Sequence, residues 1–317
     1  MQQKIFLLLF IVFSVTLLNA QTKQDKSLVM TRCDKDEKIL PSPEHMNLKA
    51  LEASFDPNVD TVLMIHGYLN DFDNSKKNFK KAIPIWKAKL GKRNYVGFHW
   101  PSKVLWFGTG IKNADKASKY LLYILSKITQ WYGNREYVIN VVSHSLGGRL
   151  TLRTLTYNEA RYFKLKCFFM APAVHNDAYI NSFANTNEIP IKNYVYYSDR
   201  DGILKYLYSI YYWLFGKDIY KNSVNYKDYQ KFDNLTLPEK IEYLKKLDKK
   251  INEDQESLSE LDNLLGKLMK RAKQSAMGLT GSVPANKVQN VNVTKWAGSH
   301  FYWSNKEVLK KVGDMIK

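Results

Sequence analysis

Two patterns of apolar residues alternate along most of the chain. Short runs rich in β-branched residues are typical of buried strands, and longer stretches with apolar residues every three or four positions are typical of amphipathic helices. Alternation of the two predicts a mostly parallel sheet with helices on both faces. The predicted strands cover 60–65, 95–100, 137–142, 166–171, 191–197 and 288–293. The predicted helices cover 76–90, with a break or kink at Pro84, then 114–131, 149–155 and 305–316.

The first twenty residues have a different pattern from the rest of the chain. Lys4 precedes an apolar run over 5–18, and the small residue Ala20 follows it. A positive start, an apolar run too short to span a bilayer comfortably and a small residue at the end indicate a secretory signal peptide. We therefore expect residues 1–20 to be removed and the protein to be exported to the periplasm, cell surface or exterior. An uncleaved membrane anchor is the alternative.

Residues 203–285 interrupt the alternation of strands and helices. An aromatic run over 206–215 comes first. A helix start with a capping box follows at 236–239, and a heptad stripe of apolar residues then runs from Leu244 to Leu268. This pattern predicts a helical, coiled-coil-like insert before the last strand, which serves as a lid, a docking arm or a structural buttress. The catalytic domain is then expected to comprise 21–202 and 286–317.

The main information from the composition is a strong positive charge. The formal net charge is +18 at pH 7. Attraction to anionic surfaces such as membranes and cell-wall polymers is one interpretation, but the lysine pairs fall on predicted helices, and we favour the interpretation that they form solvated faces. No nucleic-acid motif accompanies the charge, so we expect no nucleic-acid partner. Cys33 and Cys167 lie too far apart for a zinc motif, and Cys167 in an apolar run is expected to be a buried free thiol. Neither a metal ion nor an organic cofactor is expected.

The segment Ser143-His144-Ser145-Leu146-Gly147 directly follows a predicted strand and precedes a predicted helix. It resembles the nucleophile elbow G-x-S-x-G of α/β-hydrolases, with Ser143 in place of the first glycine. In that elbow the serine stands on a sharp turn, and bulky side chains two positions away would collide with it. Ser145 is therefore the candidate nucleophile. A strand-to-helix turn that contains serine by chance is the other interpretation.

A serine nucleophile needs a base and an acid that orients the base. In the α/β-hydrolase order both come after the serine, and His300, between the last strand and the last helix, is in the expected place for the base. Asp201, which precedes a glycine after the penultimate strand, is the first choice for the acid. Asp199 is the second choice and Asp177, after the preceding strand, the third.

Two backbone amides are candidates for the oxyanion hole, which needs preorganised N–H donors. One is the amide of Leu146, directly after the nucleophile. The other belongs to the loop His66-Gly67-Tyr68 at the end of the first long strand. There Gly67 lets the backbone approach the substrate, and the amide of Tyr68 is the expected donor.

Four segments together resemble a known family. They are V-L-M-I-H-G-Y-L-N over 62–70, F-H-W-P-S over 98–102, V-V-S-H-S-L-G-G over 141–148 and G-S-H-F-Y-W over 298–303. They are similar to the successive signatures of a bacterial α/β-hydrolase family, esterase- and lipase-like, whose physiological function is unassigned. The resemblance covers 60–202 and 278–316 by motif order. It implies a serine hydrolase that cleaves a carboxylic ester or related acyl bond, although the insert and Ser143 depart from the pattern.

The sequence leaves two classes of function open. The first is an exported serine esterase or lipase-like enzyme acting on a small-molecule or lipid ester, with contact to a membrane surface. The second is a non-catalytic surface-binding protein on a hydrolase scaffold, which uses the insert to dock a protein partner. Peptidases, thioesterases and deacetylases share the same catalytic residues, so the motif alone does not define the substrate.

Overall fold

The computed structural model describes residues 28–104, 107–176, 178, 192–208, 276–282 and 288–316. The predicted signal peptide and most of the predicted insert lie outside these residues. Export and the form of the insert therefore stay predictions.

One parallel sheet forms the centre of the described fold. Its seven strands lie in the order β1-β5-β4-β6-β7-β8-β9, and every neighbouring pair is parallel. The strands are β1 (Leu28–Arg32), β4 (Thr61–Ile65), β5 (Asn94–His99), β6 (Ile139–His144), β7 (Leu165–Met170), β8 (Lys192–Tyr197) and β9 (Val288–Asn292). Two short antiparallel strands, β2 (Asp34–Lys35) and β3 (Lys38–Ile39), form a separate hairpin.

Helices connect the strands and pack in two groups. The helices are α1 (Lys49–Ser54), α2 (Phe72–Leu90), α3 (Phe107–Tyr132), α4 (Leu146–Leu155), α5 (Met277–Thr280) and α6 (Lys306–Ile316). Helix α2 packs against α6, and α3 packs against α4. The crossover through α2 runs from β4 towards one edge of the sheet, whereas those through α3 and α4 run towards the other edge. Because such crossovers are right-handed, the two groups of helices lie on opposite faces.

The strand order reverses between β4 and β6, which are neighbours although β5 lies between them in sequence. In open parallel sheets the crevice at such a switch point, beyond the carboxyl ends of the strands, is where ligands bind. Every residue of β4, β5 and β6 is buried, so these strands provide a rigid base for the loops that follow them. The loops after Ile65 and His144 leave the sheet at this switch point, so a ligand-binding site is expected there.

The predicted break at Pro84 is wrong, and a kink there stays a prediction. Helix α2 starts at Phe72, capped by the side chain of Asp71, and continues through Pro84 without ending there. A proline inside a helix removes one hydrogen bond, but buried Phe79 and Trp86 anchor the helix on both sides of Pro84, and Trp86 Nε1 donates to the carbonyl of Leu309 at 2.8 Å.

The segment before Asp60, for which the sequence pattern predicts no strand or helix, contains ordered structure. It supplies the edge strand β1, the hairpin β2–β3 and helix α1. These elements were missed because β1 is only partly buried, so its sequence lacks the continuous apolar run of the central strands.

The two cysteines are both free and buried, as expected for Cys167. Within the described residues, no helix is long and apolar enough to cross a membrane.

The short helix α5 is fixed to the sheet through Gly278, which allows a backbone contact that no other residue would. An ideal Cβ at Gly278 would lie 2.4 Å from the carbonyl carbon of Ala171 and 2.4 Å from Leu204 Cδ1. We predict that Gly278→Ala lowers the free energy of unfolding by about 1–3 kcal/mol through overpacking. Chemical denaturation followed by circular dichroism measures this change. Gly298→Ala is the matched control, because a Cβ at Gly298 has nothing within 4 Å, and equal losses in both variants would contradict the prediction.

Candidate active site

Ser145 occupies the sharp turn between β6 and α4. Its backbone angles are φ 55° and ψ −124°, a strained conformation for a residue with a side chain. Hydrogen bonds on both sides hold the turn: the Ser145 amide donates to the carbonyl of Met170 at 3.0 Å, and the Ser145 carbonyl accepts from the amide of Ala173 at 3.1 Å. The geometry is that of a nucleophile elbow, which projects the serine hydroxyl beyond the carboxyl end of the sheet.

Small residues around the elbow are required by close backbone contacts. A Cβ at Gly67 would lie 2.7 Å from the Cβ of Ser145, and one at Gly147 would lie 2.5 Å from the carbonyl oxygen of His66. A Cβ at Gly148 would lie 2.9 Å from Pro172. The elbow and the loop after β4 are therefore pressed together at a distance that only glycine permits.

His300 and Asp201, 99 residues apart in sequence, form a buried hydrogen-bonded pair. His300 Nδ1 lies 2.7 Å from Asp201 Oδ2, and Asp201 is completely buried. The other oxygen of Asp201 accepts from the amide of Leu204 at 3.0 Å, which fixes the carboxylate at the start of the next helical turn. A carboxylate acceptor places the imidazole proton on Nδ1 and leaves Nε2 as the basic nitrogen.

Asp199, the second choice for the acid, does not occupy this position. Asp199 is exposed at the end of β8, where its amide contacts Thr294 Oγ1. Asp177 lies outside the described residues. His175, the other histidine after Ser145, packs its ring against Tyr208 at 5.7 Å and forms a backbone bridge with Ala276.

His144, the residue before the candidate nucleophile, holds the loop that carries His300. His144 Nε2 donates to the carbonyl of His300 at 2.7 Å, and the two rings lie 4.7 Å apart. Burial and the neighbouring His300 keep the pKa of His144 well below its usual value, so its ring is neutral. The sequence pattern indicates no role for His144, although its position inside the elbow motif places it next to the candidate nucleophile.

The loop His66-Gly67-Tyr68 lies against Ser145 and is fixed by the ring of His66. The amide of Trp100 donates to His66 Nε2 at 3.2 Å, so the proton of the neutral ring is on Nδ1, which lies 2.9 Å from the carbonyl oxygen of Gly67. Asn70 Nδ2 also donates to that carbonyl, at 3.3 Å. Because a trans peptide is planar, anchoring the carbonyl of Gly67 points the amide of Tyr68 to the opposite side.

The Trp-Pro-Ser segment after β5 clamps the same loop. Trp100 Nε1 donates to the carbonyl of His66 at 3.0 Å, and the amide of Leu69 donates to the carbonyl of Ser102 at 3.0 Å. Ser102 Oγ accepts from the amide of Asn70 at 3.1 Å. The sequence pattern marks this segment as a family signature but indicates no role for it. In the structure it holds the loop after β4.

Leu146 is the first residue of α4, so its amide has no acceptor within the helix. It lies next to Ser145, whereas Tyr68 lies on the loop that contacts Ser145 from the other side. The side chain of Tyr68 is fixed by a hydrogen bond from its hydroxyl to the carbonyl of Val104 at 2.6 Å. The predicted oxyanion residues are thus grouped around the elbow.

Two buried histidines, His66 and His99, are neutral. Burial, followed by the neighbouring His99, lowers the pKa of His66 to about 3. Burial, followed by the charge of Arg32, lowers the pKa of His99 to about 4. These rings stack on each other at 4.8 Å and keep their hydrogen-bond pattern across the neutral range.

A comparison with models of protein families identifies the family of the chain. The model of a family described as alpha/beta hydrolase of unknown function (DUF900) matches residues 45–211. The chain belongs to this family. The match includes the loop after β4, the elbow and Asp201, and ends before His300. No curated protein matches the chain.

Solved structures similar to the chain include a lipase and an alpha/beta hydrolase domain-containing protein, at low identity. Lipase B of Aspergillus fumigatus is 14% identical over 57% of this chain and 52% of the lipase, with a TM-score of 0.34. The chain thus spans about half the length of that lipase. A gene product of Listeria innocua is 14% identical over 44% of this chain and 70% of its own, with a TM-score of 0.31. Mouse alpha/beta hydrolase domain-containing protein 10 is 11% identical over 81% of this chain and 89% of its own, with a TM-score of 0.33. Similarity at this level assigns no substrate.

Asp201 and Asp199 are neighbouring carboxylates, and only Asp201 is hydrogen-bonded to His300. We predict that Asp201→Asn lowers kcat/KM for a soluble ester by about 10³–10⁴-fold, because an amide at this position stabilises the wrong imidazole tautomer. Asp199→Asn, which removes the same charge from the same turn, should change kcat/KM by less than about twofold, as expected of an exposed carboxylate. Thermal melting establishes that both variants are folded. A larger loss in Asp199→Asn would show that the other carboxylate orients the base.

Proposed function

We propose that this α/β-hydrolase is an exported serine esterase, with Ser145 as nucleophile, His300 as base and Asp201 as the acid that orients the base. The observation that carries the proposal is the 2.7 Å hydrogen bond between His300 Nδ1 and buried Asp201 at the carboxyl edge of the sheet that also carries the Ser145 elbow. A buried carboxylate on a histidine ring holds the imidazole in the tautomer and orientation that a general base needs and stabilises the imidazolium that forms.

In the proposed reaction His300 Nε2 takes the proton of the Ser145 hydroxyl as the oxygen attacks the carbonyl carbon of the ester. The carbonyl oxygen becomes an oxyanion and accepts hydrogen bonds from the amides of Leu146 and Tyr68. Collapse of this intermediate breaks the ester C–O bond, and His300 returns the proton to the departing alcohol. A water molecule, deprotonated by the same histidine, then attacks the acyl-enzyme and releases the acid and free Ser145.

The rigidity of the oxyanion loop supports this mechanism. Donors accelerate acyl transfer when they are fixed before charge develops, so that little reorganisation is needed. His66, Trp100 and Ser102 hold the loop by bonds to backbone groups rather than by flexible side-chain contacts. A loop that only joined β4 to α2 would need no such set of anchors.

Exposed apolar side chains suggest the class of ester. Among the described residues the large hydrophobic side chains that are exposed are Leu69, Tyr162, Ile203 and Phe301. Three of these follow a site residue directly or by two positions: Leu69 follows Tyr68, Ile203 follows Asp201, and Phe301 follows His300. We propose that Leu69, Ile203 and Phe301 form an apolar rim at the site, which favours a substrate with an apolar acyl chain or a lipid ester.

The alternative, a non-catalytic binding protein that uses the insert to dock a partner, retains the same scaffold. The insert lies almost entirely outside the described residues, so it favours neither function. Export rests on the sequence of residues 1–20. Labelling by a serine-directed probe separates enzyme from binding protein.

We predict that a fluorophosphonate probe labels the wild-type chain at Ser145, because only an activated serine hydroxyl reacts with it readily. Ser145→Ala should lose labelling and should lower kcat/KM for a p-nitrophenyl ester by at least about 10⁴-fold. Mass spectrometry of the labelled peptide and initial rates measure the two effects.

Ser143→Ala is the matched control, since Ser143 is a buried serine two positions away on β6. It should keep both labelling and turnover. Absence of labelling in the folded wild type, or labelling that persists in Ser145→Ala, would remove Ser145 from the mechanism.

The apolar rim generates a prediction about chain length. Phe301→Ser should lower kcat/KM for an octanoate ester about tenfold and leave the acetate ester nearly unchanged, because burial of a large side chain by a long acyl group contributes about 1.5–3 kcal/mol. Tyr162→Ser is the control, since Tyr162 is equally exposed but lies before β7, at the opposite edge of the sheet. Equal octanoate-to-acetate ratios in both variants would exclude the rim from substrate binding.

A further inference from the structure

Three potential metal ligands meet at the edge of the sheet, away from the elbow. Asp34 begins the hairpin β2–β3, Glu37 lies in its turn, and His99 ends β5. Pairing of β1 with β5 brings them together, since Arg32 lies opposite His99 and the amide of Cys33 donates to the carbonyl of His99 at 3.1 Å. One ligand atom of each side chain lies within 4.8 Å of the others.

The tautomer of His99 is determined by its neighbour Ser75. The hydroxyl of Ser75 donates its single proton to the carbonyl of Phe72 at 2.8 Å. Ser75 Oγ, 3.3 Å from His99 Nδ1, is therefore an acceptor, and the proton of the neutral imidazole must be on Nδ1. The unprotonated nitrogen Nε2 is left facing the hairpin.

His99 Nε2 faces two carboxylates and has no hydrogen-bond partner within the described residues. It lies 3.7 Å from Asp34 Oδ1 and 3.9 Å from Glu37 Oε1, and the His99 side chain is fully buried. Glu37 Oε2 is likewise buried without a partner among the described residues. A lone pair directed at two carboxylates is repelled by both, and a buried polar atom without a partner costs about 1–3 kcal/mol. A cation between the three groups removes both penalties.

We propose that Asp34, Glu37 and His99 bind a divalent transition-metal cation, for which Zn²⁺ is the probe. Ligand atoms about 2.1 Å from a tetrahedral zinc ion are roughly 3.4 Å apart, so the two His99–carboxylate separations need to close by only a few tenths of an ångström. The ligand oxygens of Asp34 and Glu37 lie within 4.8 Å of each other, so binding requires the partly exposed side chain of Glu37 to move closer to Asp34. An imidazole nitrogen with two carboxylate oxygens suits Zn²⁺ or Mn²⁺ better than Ca²⁺ or Mg²⁺, which prefer oxygen ligands alone.

The surroundings of the cluster fit a metal site. Arg32 donates to both oxygens of Asp34, at 3.1 and 2.7 Å, and fixes the orientation of that carboxylate. The positive charge of Arg32 also weakens the attraction for a cation, so we expect moderate affinity. The side chain of Glu37 is 33% exposed, which gives the ion a path from solvent and leaves room for water as a further ligand.

The expected effect of the bound ion is to stabilise the structure. A bound ion ties the hairpin β2–β3 to the end of β5, and the ring of His99 stacks on His66, which anchors the oxyanion loop. Both carboxylates lie before the residues that the family model matches. The proposal does not depend on Ser145 being a nucleophile.

The test uses the full chain, stripped with a chelator and titrated with Zn²⁺ in competition with a colorimetric zinc indicator. We expect one equivalent to bind and the midpoint of thermal unfolding to rise. In Glu37→Gln the affinity should fall at least tenfold. Asp36→Asn is the matched control, because it removes the same charge from the same hairpin turn at an exposed position. Its affinity should stay within twofold of the wild type.

A second measurement identifies the histidine without any variant. The chain has six histidines, and a long-range ¹H–¹⁵N spectrum of the wild type resolves their ring nitrogens. Addition of one equivalent of Zn²⁺ should shift Nε2 of His99 first. A first shift at another histidine, equal affinities of Glu37→Gln and Asp36→Asn, or less than a tenth of an equivalent bound would overturn the proposal. If Glu37→Gln does not melt cooperatively, the spectrum decides alone.

Discussion

The contact between two backbone turns is the constraint on which the rest of the site depends. The elbow at Ser145 and the loop at Gly67 approach so closely that a Cβ at Gly67 would lie 2.7 Å from that of Ser145. Gly147 makes the reciprocal approach to the carbonyl of His66. Both turns leave the sheet from neighbouring parallel strands, β4 and β6, whose register is fixed by fully buried residues. The spacing between the candidate nucleophile and the candidate oxyanion donors is thus set by main-chain packing, which relaxes far less than side-chain positions do.

Histidines at this edge of the sheet divide into those that hold the backbone and one that is placed to react. His66 and His144 are buried and neutral, and each bonds to a backbone carbonyl, of Gly67 and His300 respectively. His300 differs because its partner is a carboxylate, which stabilises a positive ring during proton transfer. The hydrogen-bond partner therefore separates the two kinds of histidine: a backbone carbonyl for His66 and His144, and a carboxylate for His300.

The central strands and the candidate triad could be predicted from sequence because each is recorded in local patterns. Continuous apolar runs define β4 to β7, and the motif around Ser145, the position of His300 and the carboxylates after β8 follow a known chain order. The roles of His144, Trp100 and Ser102 could not be predicted, since they depend on contacts between residues 32 to 156 positions apart in the chain. Strand β1 was missed because an edge strand that is half-buried has no strong pattern. The choice between Asp199 and Asp201 needed the direction of the turn, which capping by the Leu204 amide determines.

The described ends of the insert limit what the intervening residues can do. Leu204 and Met277 are buried in the core, and the carbonyl of Gly278 accepts from the amide of Ser198, three residues before Asp201. Tyr208 contacts the ring of His175, which is itself paired with Ala276, so the chain leaves and returns at nearly one place. That place is the carboxyl edge of the sheet, beside the His300–Asp201 pair. The residues 204–208 and 276–282 consequently belong to the support of the acid, whatever the segment between them does. A deletion that distinguishes a lid from a buttress must therefore begin after Tyr208 and end before Ala276, because a wider one would disturb the position of Asp201 directly.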